Sequence, residues 1–174
     1  MTGRPLSRKL LLLGEIGVGK TSLVRRLTLG ELPTDYRPTI GVDLYTYRLP
    51  ADMPEAERRV EFVIWDIDGN YGQSIFRHVY SQGASGALII GDADRRPTLD
   101  LMVGLAEAFQ KALPGRHFSF VLNKSDLVPD RTALELPEAL QSPRHPVVWT
   151  SALSGDGVEP AFVTAGAEIL RRTR

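Results

Sequence analysis

The octapeptide Gly14-Glu15-Ile16-Gly17-Val18-Gly19-Lys20-Thr21 is the segment of this chain best equipped for chemistry. It satisfies G-x-x-x-x-G-K-[ST], follows an apolar run, Lys9 to Leu13, and precedes a stretch of helical period, Ser22 to Leu29. Glycines at that spacing let successive backbone N–H groups turn inward around phosphate oxygens, and the helix N-terminus behind them adds positive potential. The Lys20 ammonium would neutralise β and γ oxygens, and the Thr21 hydroxyl would ligate Mg²⁺. Gly14, Ile16, Gly17, Val18, Gly19, Lys20, Thr21 and Ser22 are therefore candidate phosphate contacts. The loop predicts a nucleoside triphosphate and leaves the base open, since ATPases and small-molecule kinases share it.

Base identity has a second candidate segment. Asn123-Lys124-Ser125-Asp126 follows the apolar run Phe118 to Leu122, at the carboxyl end of a strand, where open α/β sheets bind ligands. The Asp126 carboxylate can accept two hydrogen bonds from the N1–H and exocyclic amine of guanine, a donor pair that adenine does not present. The Lys124 stem can cover the face of the base.

These loops must be held by an alternation of short apolar runs and longer helical segments, which predicts an α/β sheet. Strands are expected at Lys9–Leu13, Val42–Leu49, Val60–Trp65, Ala87–Ile90, Phe118–Leu122 and Val147–Trp149. Several are apolar throughout, as a sheet covered by helices on both faces requires. Leu99, Met102, Val103, Ala106 and Phe109 form one helical stripe, and Val158, Ala161, Phe162, Ala165 and Ile169 another. Only Pro50 to Arg59 separates the second and third strands, too little for a crossover, so they pair antiparallel, while the other connections carry helices. The expectation is a mostly parallel six-stranded sheet with one antiparallel strand, and a solvated loop at Pro50–Arg59.

The chain has 174 residues, 43% hydrophobic and 24% charged, which predicts one globular domain over residues 1–174. Lys plus Arg and Asp plus Glu number 21 each, so no global field recruits nucleic acid or anionic lipid. The absence of cysteine excludes a disulfide framework, thiolate metal sites, prenylation and palmitoylation, and Thr2 stands where myristoylation requires Gly. With no signal-peptide pattern and no direct lipid anchor, a cytoplasmic location is expected. His78, His117 and His145 share no metal-ligand spacing, and Trp65 and Trp149 read as packing residues at strand ends. Asp92 and Asp94 read as helix caps and Arg95 and Arg96 as a helix approach, while Arg171-Arg172-Thr173-Arg174 reads as a solvated helix end.

With the two loops, three further segments in order make the chain resemble a Ras-superfamily small GTPase, closest to the Rab branch. Tyr36-Arg-Pro-Thr-Ile-Gly-Val-Asp43 is similar to that family's first switch, Trp65-Asp-Ile-Asp-Gly69 to its second, and Thr150-Ser-Ala-Leu153 to its last guanine-contacting loop. The resemblance implies a P-loop NTPase fold, a Ras-like G domain that binds GTP and GDP with Mg²⁺. It further implies hydrolysis to GDP and phosphate, and regulators or effectors that read segments Tyr36–Asp43 and Asp66–Tyr80. Thr21, Thr39 and Asp66 would serve the metal, Lys20, Thr39, Gly69 and Asn70 the reaction, and Asn123, Lys124, Asp126, Ser151 and Ala152 the base. The Ala152 N–H would meet the guanine O6, and the Gly69 N–H the γ-phosphate. The scarcity of lysine relative to arginine fits a GC-rich prokaryotic genome, and the absence of cysteine a non-lipidated member.

Four residues depart from the family pattern. Asn70 replaces the glutamine that orients the attacking water and is shorter by a methylene, which predicts slow hydrolysis. Ile16 puts a β-branched side chain where Ras has glycine, Asp68 an acid where the family has alanine, and Leu32 an aliphatic chain near where an aromatic ring covers the base. Arg37, two residues before Thr39, is weighed as a built-in arginine finger against an ordinary solvated residue. The alternatives to a switch are a hydrolysis-deficient GTP/GDP-binding scaffold with one fixed surface and, more remotely, a small-molecule kinase.

Overall fold

The computed structural model describes residues 5–32, 34–35, 37–54, 59–67, 69 and 80–173. Six strands form one sheet: β1 (Leu6–Leu13), β2 (Val42–Arg48), β3 (Val60–Ile67), β4 (Ala84–Asp92), β5 (His117–Asn123) and β6 (Val148–Trp149). Their order is β2-β3-β1-β4-β5-β6. β2 and β3 pair antiparallel, with Asp43 opposite Asp66, and every other pair is parallel. The expected sheet is therefore present, with β1, β3, β4 and β5 longer at their ends by up to three residues and β2 and β6 each one residue shorter.

The α-helices among the described residues are α1 (Lys20–Leu29), α2 (Arg96–Ala112) and α3 (Val158–Arg172). The period-2 alternation of a strand explains how they cover both faces. Leu10 and Leu12 point into a core with Leu23 and Val24 of α1 and Ala161, Phe162, Ala165 and Ile169 of α3. Leu11 and Leu13 point the other way, into a core with Leu99, Met102, Ala106 and Phe109 of α2. The four consecutive leucines of β1, all under 5% exposed, thus serve two cores and lock the central strand. Burying such a side chain stabilises the fold by about 1.5–3 kcal/mol.

One expectation fails. The connection from β5 to β6 carries no α-helix; three 3₁₀ turns, Ser125–Leu127, Arg131–Ala133 and Glu138–Gln141, run there instead. The reason is composition: Pro129, Pro137, Pro143 and Pro146 leave no proline-free stretch long enough for a stable helix, and each disfavours helical geometry in the residue before it. The segment still closes the α2-side core through buried Leu140. The connection from β3 to β4 lies largely outside the described residues. Among the described residues no helix is long and apolar enough to cross a membrane.

Candidate functional site

Strand order reverses about β1, so the carboxyl ends of β1, β3, β4 and β5 open onto one crevice. The loop after β1 runs into α1, whose N-cap is Gly19 in a left-handed conformation with φ of 98° and no side-chain cap. The first-turn N–H groups of α1 therefore face the loop, as an anion site requires. A Cβ at Gly19 would lie 2.3 Å from the Asn123 amide nitrogen, so glycine is needed there for space as well as for backbone angle. Lys20 is buried, and its ammonium donates to the carbonyls of Gly14 at 2.8 Å and Glu15 at 2.9 Å, which aims the charge along the inside of the loop.

Three oxygens expected at a metal meet beside that ammonium. The Thr21 hydroxyl donates to Asp66 Oδ2 at 2.5 Å and lies 2.8 Å from the Thr39 hydroxyl, which consequently donates to it. Asp66 is fully buried at the end of β3, and Thr21 rides on α1. Thr39 arrives on an irregular segment whose neighbours Arg37, Pro38 and Ile40 are exposed. Two hydroxyls and a carboxylate are hard oxygen donors, a set that suits Mg²⁺ completed by phosphate and water. Among the described residues no group of three His, Cys, Asp or Glu side chains offers a rival metal centre.

Gly69 lies against the same loop. A Cβ there would stand 2.4 Å from the Ile16 nitrogen and 2.7 Å from the Glu15 carbonyl carbon, so a side chain cannot occupy this position without moving backbone. A cleft of about 500 Å³ opens beside the loop and α1, lined among others by Lys20, Thr21, Arg25, Thr39, Tyr45 and Gly69. Tyr36, Asp68 and Asn70 lie outside the described residues, as does His78.

At the base end the residues divide by direction. Asn123 is 1% exposed and faces inward: Nδ2 donates to the Val18 carbonyl at 3.0 Å, while Oδ1 accepts from Thr150 Oγ1 and the Ala152 N–H, both at 3.2 Å. It joins the phosphate loop to the loop after β6, and the Ala152 N–H is directed at it. Asp126 is exposed, oriented by the Ser151 hydroxyl at 2.5 Å. Lys124 adopts φ of 62° and anchors its ammonium on Asp92 at 2.6 Å, which lays its stem along the crevice.

Two further residues belong to this frame, one that the sequence leaves unmarked and one that it assigns another role. Arg26, in the last turn of α1, donates to the Ala152 carbonyl at 3.0 Å and to that of Leu153, holding the base loop from below. Asp92 is not a helix cap: α2 starts behind Arg95 with no side-chain cap, and the Asp92 carboxylate takes Lys124, Arg95 and the Asp94 N–H. A charged residue ending an otherwise apolar strand was the available signal for Asp92; nothing local marked Arg26. Leu32 is half-buried against the α1–α3 core. Trp65 packs edge-on to Tyr80 beneath the Lys9 ammonium, His117 bonds Ser119, and His145 stacks on Phe118, all of them packing roles.

A phosphate loop and a hydroxyl–carboxylate oxygen cluster at the switch point of a mostly parallel sheet define a P-loop nucleotide-binding domain of the Ras-like α/β class. The Ras family model matches residues 9–171. The chain is 32% identical to the GTP-binding protein ypt3 of Schizosaccharomyces pombe, over 94% of this chain and 76% of that one. It is 33% identical to human Ras-related protein Rab-4B, over 94% and 76%. With Ras-related protein RABA4a of Arabidopsis thaliana the identity is 32%, over 92% and 71%. The chain belongs to the Ras family and is a GTPase.

Proposed function

We propose that residues 1–174 form one G domain that alternates between GTP- and GDP-bound shapes and hydrolyses GTP slowly. The observation that carries this reading is the meeting of Thr39 with Thr21 and Asp66. Two of the three oxygens sit on a helix and a strand, while the third comes from a segment outside any helix or strand, with exposed neighbours, tied to the cluster by one hydroxyl contact. Order in that segment is then tied to the γ-phosphate, the physical basis of a switch.

Thr21, Thr39 and Asp66 would hold Mg²⁺, which supplies charge neutralisation at the β- and γ-phosphate oxygens. Backbone N–H groups of Gly17, Val18, Gly19 and Lys20 surround the phosphates, with Gly14 and Ile16 shaping the loop and Ser22 beside it. Lys20 stabilises negative charge where it grows in the transition state. Gly69 offers its N–H to the γ-phosphate because no side chain intervenes. Asp126, steadied by Ser151, selects guanine; Lys124 covers the base, and Asn123 and Ala152 fix the pocket's floor. Segments 36–43 and 66–80 are the ones an effector would read; Ile40 in the first is 86% exposed and Leu44, just beyond it on β2, 58%, apolar area suited to a protein effector.

The residue type at position 70 supports slow turnover, since asparagine is a methylene shorter than the glutamine that orients the attacking water in the family. Single-turnover hydrolysis by the native protein and by Asn70→Gln is the test, with the variant expected to be about tenfold faster. A native rate equal to that of Asn70→Gln and Asn70→Ala would overturn the assignment. Asn70 also favours a second reading, a scaffold with one fixed surface; it predicts equal partner affinity with GDP, GTP and a non-hydrolysable analogue.

A further inference from the structure

The phosphate loop and the base-flanking lysine share an anchor that the reaction scheme does not use. Asp92 ends β4 with its side chain 2% exposed. Its Oδ2 accepts from the Lys124 ammonium at 2.6 Å and from Arg95 Nε at 3.1 Å, while Oδ1 accepts from the Asp94 N–H at 3.0 Å. Arg95 then reaches across the crevice, and its Nη2 donates to the Ile16 carbonyl at 2.9 Å. Thr98 fixes the turn beneath: its hydroxyl accepts from the Asp92 N–H at 2.9 Å and donates to the Arg95 carbonyl at 2.7 Å. The arginine is therefore held at its root and at its Nε, with its outer nitrogen on the loop.

Ile16 is gripped on both sides of its backbone. Arg95 holds its carbonyl, and Gly69 packs against its nitrogen so closely that no Cβ fits between them. We propose that Arg95 is a positioning residue for nucleotide retention: it ties the phosphate loop at Ile16 to the same buried carboxylate that holds Lys124 over the base. The two ends of the nucleotide then loosen together, through protein, rather than independently. Because the Arg95 side chain is 42% exposed, an acidic group on a partner that draws its guanidinium off Ile16 releases the loop from outside, a route to accelerated nucleotide exchange.

The fork of the guanidinium is essential to this role. A lysine at 95 places one ammonium near Asp92 or near the Ile16 carbonyl, and cannot span both. If the residue served only to neutralise Asp92, lysine would suffice.

The role rests on the guanine-nucleotide reading, and the test separates the two. Full-length native protein, Arg95→Lys and Arg95→Gln are loaded with GDP carrying a fluorescent N-methylanthraniloyl group on its ribose, and release is timed against excess unlabelled GDP. Release is expected to be about tenfold faster in both variants, the effect of losing one charge-assisted hydrogen bond. Arg95→Lys is expected to keep its melting temperature within about 2 °C of native, since a cation remains beside Asp92. Native release rates in Arg95→Lys would overturn this role and leave the function standing. Failure of the native protein to bind the labelled GDP would overturn both.

Discussion

Replacing Asn123 by alanine removes a buried side chain that bonds directly to both the phosphate loop and the base loop. The side chain is 1% exposed and makes three hydrogen bonds, one at 3.0 Å and two at 3.2 Å. Truncation strands the Val18 carbonyl and the Ala152 N–H in a dry place, where each unsatisfied group costs about 1–3 kcal/mol. The Thr150 hydroxyl can rotate to another acceptor, and the longer contacts argue for the lower end of that range. The expected loss is about 3 kcal/mol. For a chain of this size that is a fall of about 6–12 °C in melting temperature, read by circular dichroism at fixed GDP and Mg²⁺. Asn123→Asp is a sharper version: it keeps the acceptor toward Thr150 and Ala152 but turns a carboxylate oxygen on the Val18 carbonyl, and it should destabilise at least as much. Melting of Asn123→Ala within about 2 °C of native would refute the reasoning.

Gly19→Ala places a methyl 2.3 Å from the Asn123 amide at a φ of 98°, so the loop must open; GDP affinity measured by calorimetry should fall at least about a hundredfold. His117 is pushed down to about 4 by burial, with the Arg172 and His145 charges acting in the same direction and Glu168 opposing them. The unfolded chain binds a proton near pH 6.5 that the folded chain refuses until about pH 4, so stability is complete above 6.5 and declines as pH falls through that window. Discounted for residual solvent screening, the loss is about 2 kcal/mol, and His117→Gln should flatten that part of the melting profile. An unchanged slope in the variant would count against the assignment.

The chain announces its sheet clearly because the strand cores are runs of apolar residues and the helices are stripes, both one-dimensional signals. Strand ends moved for a local reason: Leu6 to Arg8 lengthen β1 by pairing with Val60, Glu61 and Phe62 of β3, a match that polar Ser7 and Arg8 do not advertise. The missing helix between β5 and β6 was legible in its four prolines, and the expectation of a uniform crossover pattern outweighed them. At the site, residue type and motif order led to Lys20, Thr21, Thr39, Asp66 and Asp126 because their chemistry is distinctive. Asn123 was expected against the nucleotide, and its inward bonds to Val18 and Ala152 depend on three loops meeting in space. Arg26 and Arg95 were illegible for the same reason: their partners lie 126 and 79 positions away, and a solvated arginine looks no different in sequence.

Base selection by Asp126 tests the central claim most directly, since it joins the fold, the site and the function in one equilibrium. GDP, ADP and xanthosine diphosphate are titrated by calorimetry against the native protein and Asp126→Asn. The carboxylate accepts both guanine donors, whereas an asparagine amide offers one donor and one acceptor, the complement of xanthine's 2-oxo and N1–H groups. The native protein should prefer GDP over ADP by at least about a hundredfold, and Asp126→Asn should shift the preference to xanthosine diphosphate. Equal binding of GDP and ADP by the native protein, or a GDP preference unmoved by the substitution, would contradict the account.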